Sequence, residues 1–180
     1  MKVELKNSTY RWSFKLKVRR AIWNVIWRLF GSPGPRLFSP WRKFLLKLFG
    51  ARIGKAPLIC GQIKVLMPWN LVIGDYVAIS ERVDIYNYDL VSIGENTVIS
   101  QGTWLCTGSH DYSKDNFPLV WAPIQVDRYV WIASESFIAP GVSVGEGSVI
   151  GARSVVTSDV CSWSVYAGNP ARKVKDRVIK

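Results

Sequence analysis

Aliphatic side chains recur every six residues along most of this chain. Ile73, Ile79, Ile85 and Val91 keep that spacing, as do Ile93, Ile99 and Leu105, and then Val126, Ile132, Ile138, Val144, Ile150 and Val156. An upstream set, Ile53, Ile59, Val65 and Leu71, joins them. A period of six does not fit a helix, whose turns of 3.6 residues would scatter these positions around the axis. It fits a coil of three flat faces, each contributing one inward aliphatic residue. Successive coils would stack as parallel strands about 4.8 Å apart, with each aliphatic residue above its equivalent one coil away. About five coils follow, a prism on the order of 25 Å long. Small residues often come directly after the aliphatic one (Gly54, Gly74, Gly94, Ala133, Ala139, Gly145, Gly151). They suit corners where the backbone turns and positive φ is required. The steps from Leu71 to Ile73 and from Val91 to Ile93 read as corner bulges. A β-sandwich would show period-two alternation with turn signals every eight to twelve residues or so, and the unbroken register from Val126 to Val156 argues against it.

Before the rhythm starts, the pattern is helical. Val18, Ala21, Ile22, Val25, Ile26 and Leu29 follow i, i+3, i+4, i+7 spacing, and Trp23, Trp27 and Phe30 widen that apolar face. The spacing predicts a helix over 18–30 with Arg19, Arg20, Asn24 and Arg28 outward, stopped by Gly31-Ser-Pro-Gly-Pro35. A second helix is expected from Ser39 as N-cap and Pro40 at the first turn. Its apolar face would hold Trp41, Phe44, Leu45 and Leu48, with Arg42, Lys43 and Lys47 outward and Gly50 ending it. The chain thus divides into a basic helical segment (1–52), the repeat body (53–161, interrupted by a loop at 111–125) and a short basic C-terminal tail or helix (162–180).

Charge sharpens that division. Of 24 Lys and Arg, 14 fall in residues 1–55 beside a single acid, Glu4, so this segment carries +13 and the remainder −2. With four tryptophans (Trp12, Trp23, Trp27, Trp41), the segment suits contact with an anionic membrane surface; capping the prism or packing between subunits is the other use for its apolar faces. No nucleic-acid-binding motif is present. No apolar run reaches the roughly 20 residues that span a bilayer, and no secretory h-region occurs. Three cysteines, Cys60, Cys106 and Cys161, lack metal-type spacing and read as reduced thiols of a cytoplasmic protein, at most peripheral to the inner face of the plasma membrane. With one histidine and no Cys-x-x-Cys, no metal is expected.

Several segments carry a family resemblance. Trp131-Ile-Ala-Ser134, Val149-Ile-Gly-Ala-Arg-Ser-Val-Val-Thr157 and Ala167-Gly-Asn-Pro-Ala-Arg172 resemble the hexapeptide-repeat acyltransferases. Pro68-Trp-Asn-Leu71, Leu105-Cys-Thr-Gly-Ser-His-Asp-Tyr112 and Trp41-Arg-Lys-Phe-Leu-Leu-Lys-Leu-Phe-Gly50 are similar to the sugar O-acetyltransferases of exopolysaccharide pathways, the colanic-acid type. The resemblance implies an all-β, left-handed parallel β-helix that assembles as a homotrimer. It implies acetyl-CoA as donor in a cleft between prisms, and a sugar or lipid-linked saccharide as acceptor. Trp131 would be a wall of the donor site, and backbone near Ala133 and Ser134 would meet the pantetheine or the thioester oxygen. Ala152, Thr157 and Ser158 would continue the track, with Arg172 and Lys175 at the phosphates. Two departures stand out: Ala133 replaces the family's usual glycine, and Ser158 its usual lysine, for which Arg153 or the tail bases would substitute.

Acetyl transfer from a thioester to a hydroxyl needs a base, and a neutral imidazole serves near pH 7. His110 is the only histidine and stands where the rhythm breaks. Asp111 is a candidate to orient its ring or bind acceptor hydroxyls, or is a solvated loop acid; Asn87, at a coil corner, is a weaker candidate for acceptor contact. The aromatics of the break (Tyr112, Phe117, Trp121, with Asn116) either shape a sugar pocket or pack on the prism. Sugar O-acetylation leads. An antibiotic O-acetyltransferase and a non-catalytic scaffold docked at the membrane are the other readings. A zinc-dependent carbonic-anhydrase-like β-helix is excluded, because it needs three histidines.

Overall fold

The structure is a computed structural model describing Val3, residues 5–7 and residues 12–179. The parts of the 1–52 segment at residues 1, 2, 4 and 8–11, and Lys180, lie outside the described residues. From Arg52 onward the six-residue rhythm folds as a parallel β-helix of about six turns. The first face stacks Arg52–Ile53, Leu71–Ile73, Val91–Ile93, Ile124–Val126 and Ser143–Val144. The second stacks Leu58–Ile59, Ala78–Ile79, Val98–Ile99, Trp131–Ile132 and Val149–Ile150, and the third Lys64–Val65, Asp84–Tyr86, Trp104–Cys106, Phe137–Ile138 and Val155–Val156. Register is strict: Ile59, Ile79, Ile99, Ile132 and Ile150 pair in one column, and Val65, Ile85, Leu105, Ile138 and Val156 in another. These side chains are buried and form the axial core.

Two expectations about the coil change. The additional residues at Leu71–Ile73 and Val91–Ile93 are not corner bulges. They lengthen the first-face strand so that both its ends point inward. The small residues after the aliphatic ones are also not there for positive φ. That conformation falls two residues later, at Tyr76, Arg82, Asn96, Gly102, Tyr129, Glu135, Gly141, Gly147 and Arg153. Gly74 and Gly94 are glycine because the next coil's backbone is too close: a Cβ on Gly74 would come within 2.7 Å of the Glu95 nitrogen, and one on Gly94 within 2.6 Å of the Asp127 carbonyl carbon.

The C-terminal segment is a strand pair rather than a helix. Ser164–Gly168 continues the second face in parallel, and Ala171–Asp176 folds back against it antiparallel.

The N-terminal helices form, but each is rolled relative to its apolar pattern. α1 spans Phe14–Ile26, starting at Ser13, whose Oγ accepts the Leu16 N–H, and continues as a π-helical turn over Trp27–Gly31. Trp23 and Trp27 are buried, whereas Phe14, Val18, Ile22, Val25 and Leu29 are exposed. α2 spans Ser39–Leu48 and buries Arg42, Leu45 and Leu46, leaving Trp41, Phe44 and Leu48 exposed. The cause is the first coil, whose outer backbone groups have no preceding coil to pair with, and a buried polar group left unpaired is costly. The Trp23 indole donates to the Val65 carbonyl (2.7 Å) and the Trp27 indole to the Ile63 carbonyl (3.0 Å). Ser39 Oγ, instead of capping its own helix, accepts the Ile59 N–H, and Ser32 O accepts the Gln62 N–H. Arg42, expected outward, is sealed inside. Its guanidinium donates to the carbonyls of Gly31, Pro33, Gly34, Pro35 and Ile59. Burial lowers the Arg42 pKa from its ordinary value, while burial raises that of the neighbouring Cys60 thiol.

Candidate functional site

His110 is carried on a two-stranded antiparallel ribbon that leaves the prism where the third face should turn into the first. Gly108–His110 pairs with Leu119–Trp121, His110 opposite Leu119, and Ile124 already belongs to the next coil. The break is therefore an ordered arm whose tip is residues 111–118, not a plain loop over 111–125. The imidazole is exposed, and its Nδ1 lies 2.7 Å from the Phe117 carbonyl oxygen. A carbonyl only accepts, so the Nδ1 position carries the proton and the lone pair of the neutral ring sits on Nε2. The backbone thus fixes both the orientation and the tautomer that a general base needs.

Asp111 does not supply that orientation. Its Oδ1 accepts the Ser113 N–H (3.0 Å) and hydroxyl (2.6 Å), and Oδ2 faces Lys114 at 3.8 Å. These hydrogen bonds from Ser113, with a smaller contribution from Lys114, hold its pKa below the ordinary carboxylate value. It organises the tip of the arm.

Asn87 is wholly buried, contrary to the expectation of acceptor contact. Its Oδ1 accepts the Met67 N–H, and both Nδ2 protons are used on the Met67 and Asn70 carbonyls. It staples the corner beneath the arm, where Thr107 does the same one coil on, donating to the Tyr86 carbonyl.

Beside the arm is a cavity of about 400 Å³ walled by Trp12, Trp69, Asn70, Tyr88, Leu119 and Trp121. Tyr88 shares a hydrogen bond with Tyr86 through their hydroxyls (2.9 Å), and Arg20 stacks 4.9 Å from the Trp12 ring. Of the aromatics in the break, Trp121 joins this wall, while Phe117 and Tyr112 line an open hollow with His110. In the sequence Trp12 stood out only as part of the basic segment and Trp69 only within the Pro68–Leu71 motif, and Tyr88 was not singled out. They come from three separate segments, and only the capping helix and the coil corner bring them together.

The residues that the resemblance implies for a donor site lie elsewhere, on and around the second face. Trp131, Val149, Val165 and Lys175 are cross-strand partners in one continuous row. Four strands at about 4.8 Å spacing make a row of roughly 14 Å. It is apolar at one end, where the half-exposed Trp131 donates its indole N–H to Ser100 Oγ, and cationic at the other. Arg172 is exposed on the same edge strand. Ala152, Thr157 and Ser158 are exposed at the neighbouring corners. Ala133 is buried, and both its backbone groups are engaged: its N–H donates to the Ile150 carbonyl, and its own carbonyl accepts from Thr103 and Ser136. It is therefore not available to a thioester. The N–H of the adjacent Ser134 has no partner among the described residues. Arg153, considered as a phosphate contact, is paired with Glu135 (2.6 Å), and Lys173 with Asp176 (2.7 Å).

One prism does not bring His110 and this row together. The arm leaves at the edge between the third and first faces, and in a triangular prism that edge lies opposite the second face. Among the described residues, no group of three or more His, Cys, Asp and Glu side chains is positioned to hold a metal.

Comparison with known proteins gives a consistent picture. No protein-family model matches the chain. It is 38% identical over 161 residues to a protein of Escherichia coli (strain K12) described as the colanic acid biosynthesis acetyltransferase WcaF, covering 89% of this chain and 88% of that one. It is 30% identical over 138 residues to the galactoside O-acetyltransferase of the same strain, covering 75% of this chain and 68% of the relative. Among solved structures, the hexapeptide-repeat acetyltransferase VCA0836 of Vibrio cholerae O1 biovar eltor, crystallised with acetyl-CoA, superposes with a TM-score of 0.86 at 23% identity over 97% of this chain and 96% of that one. The fold is that of the left-handed β-helices.

Proposed function

Because the chain belongs to the hexapeptide-repeat acetyltransferase family, we propose that it transfers the acetyl group of acetyl-CoA to a sugar hydroxyl, with His110 as general base. The observation that carries this reading is the contact from Nδ1 to the Phe117 carbonyl, which leaves Nε2 free to act. Nε2 takes the proton of the acceptor hydroxyl as its oxygen attacks the thioester carbonyl. The tetrahedral oxyanion accepts the Ser134 N–H. Its collapse breaks the carbon–sulfur bond, and the imidazolium returns its proton to the departing CoA thiolate. Base assistance of this kind contributes roughly 10²–10⁴ in rate.

The pantetheine arm of acetyl-CoA would lie along the row from Trp131 to Lys175, with its phosphates toward Lys175 and Arg172. The exposed residues Ala152, Thr157 and Ser158 flank this path. With the base on the opposite side of the same prism, a complete site takes its base from one copy and its donor row from the next, which a homotrimer satisfies. The acceptor would occupy the aromatic-walled cavity, which is within the usual size for small-ligand sites; aromatic faces pack well on the apolar faces of pyranose rings. The relative described as a colanic acid acetyltransferase favours a surface-polysaccharide intermediate, free or lipid-linked, as the acceptor.

The test is His110→Ala, assayed by CoA release and by mass spectrometry of acceptor products across polysaccharide intermediates and antibiotics. The variant should stay folded and assembled while turnover falls by about 10²–10⁴. Retained turnover refutes the mechanism. Acetylation confined to antibiotics overturns the sugar reading, and absence of acetyl-CoA binding by calorimetry overturns the enzymatic one.

A further inference from the structure

We infer that the outward faces of the two N-terminal helices dock the protein on an anionic lipid surface. The capping contacts of Trp23, Trp27, Ser39 and Arg42 use the inner sides of α1 and α2, so the apolar stripes face away from the prism. On α1 and the π-helical turn that continues it the stripe runs from Phe14 (82% exposed) to Leu29 (60%); on α2 it runs from Leu37 (83%), just before the helix, to Leu48 (65%). The two stripes join at Trp41, whose indole donates to the Phe30 carbonyl (2.9 Å) and whose ring stacks on Phe44. A continuous patch of large apolar side chains this exposed marks an interaction surface.

Charge identifies the occupant. Lys15, Lys17, Arg28 and Lys47 are exposed beside the stripes. Among the described residues, no lysine or arginine before Lys64 is ion-paired. Against a second copy of the same face these charges would repel. Against anionic headgroups they are neutralised while the stripes enter the acyl boundary, the arrangement of helices lying in the plane of a bilayer. No helix among the described residues is long and apolar enough to cross a membrane, so the contact is peripheral. The arm carrying His110 follows the third coil, two coil spacings or about 10 Å above the capped first coil. With the capping helix layer adding about 10 Å, a saccharide of several residues on a lipid anchor in the same leaflet spans the distance. This last point rests on the proposed role of His110; the docking does not.

The experiment is co-sedimentation of the full chain with vesicles of phosphatidylcholine alone or containing about 30 mol % phosphatidylglycerol, an anionic content sufficient to recruit basic patches. Binding is expected on the anionic vesicles only, and reversal of Lys15 and Lys17 together to Glu should weaken it by more than tenfold. Leu29→Glu with Phe44→Glu should weaken it about a hundredfold, since each apolar side chain of this size contributes at least a factor of ten to partitioning. Both variants change exposed positions and should keep the wild-type melting temperature, sedimentation coefficient and CoA release with a water-soluble acceptor. Loss of that CoA release in the wild type would refute the proposed function and leave vesicle binding to be read separately. Absence of binding to anionic vesicles, or equal binding to neutral ones, overturns the inference. So does a fall in sedimentation coefficient in Leu29→Glu/Phe44→Glu, which would make the patch a contact between copies.

Discussion

If the base and the donor row come from different prisms, two inactive variants should rescue each other. The perturbation pairs His110→Ala, which keeps its row intact, with Trp131→Ala/Lys175→Glu, which keeps its base. Removing the half-exposed indole at one end of the row and reversing the charge at the other should raise the acetyl-CoA KM by about two orders of magnitude. In a cyclic trimer each site uses the base of one copy and the row of the next. A trimer containing both variants then has, whatever its stoichiometry, one site that draws its base from a row variant and its row from a base variant. Co-expression with two different tags and sequential affinity purification isolates the mixed trimers. CoA release at limiting acetyl-CoA should recover to about one third of wild type in them, against near-background rates in each parent. If mixed trimers do no better than the parents, base and row of one site do not come from different prisms.

Three further outcomes test the physical reasoning. Arg42→Met removes the donors of five carbonyls and should cost about 3–5 kcal/mol in chemical denaturation, with Arg42→Lys between the two; an unchanged midpoint would show that those carbonyls find other partners. Gly74→Ala should destabilise by about 1–3 kcal/mol, and Gly151→Ala, whose Cβ would meet backbone no nearer than 3.4 Å and a methyl at 3.0 Å, by clearly less; equal costs would refute coil-to-coil approach as the reason for glycine. Because Ser113 holds the Asp111 carboxylate below its ordinary value of 3.8, the order it gives the arm is complete above that pH and is lost as pH falls through the lowered value. Amide exchange at Ser113 should accelerate there, and Asp111→Asn should show the fast exchange already at neutral pH; pH-independent protection would refute the link.

The coil was legible because one buried aliphatic position on each face repeats every six residues within a coil, and the backbone pairs wherever that repeat brings it. The rolled helices were not, because periodicity locates an apolar stripe without knowing which backbone groups the neighbouring coil leaves unpaired. Trp23 and Trp27 face inward for their indole N–H groups as much as for their area, and Arg42 is buried because five carbonyls converge on it. His110 stood out as the only histidine, but its orienting partner is a main-chain carbonyl, and main-chain partners leave no mark in a sequence. Asn87 looked like a site residue because corner asparagines and ligand-contacting ones are the same residue type; its hydrogen-bond count separates them. Ala133 was misjudged similarly, since a backbone N–H is available to a ligand only if the coil ladder has not already taken it.

A β-helix has no intrinsic length. Each coil presents to the next the same row of donors and acceptors by which it was itself templated, so an uncovered end would recruit any other strand, including the end of another molecule. The indoles of Trp23 and Trp27, the hydroxyl of Ser39 and the guanidinium of Arg42 occupy that row on the first coil. They make the number of coils a property of the single chain, and keep a fold built on repetition from propagating into a fibre.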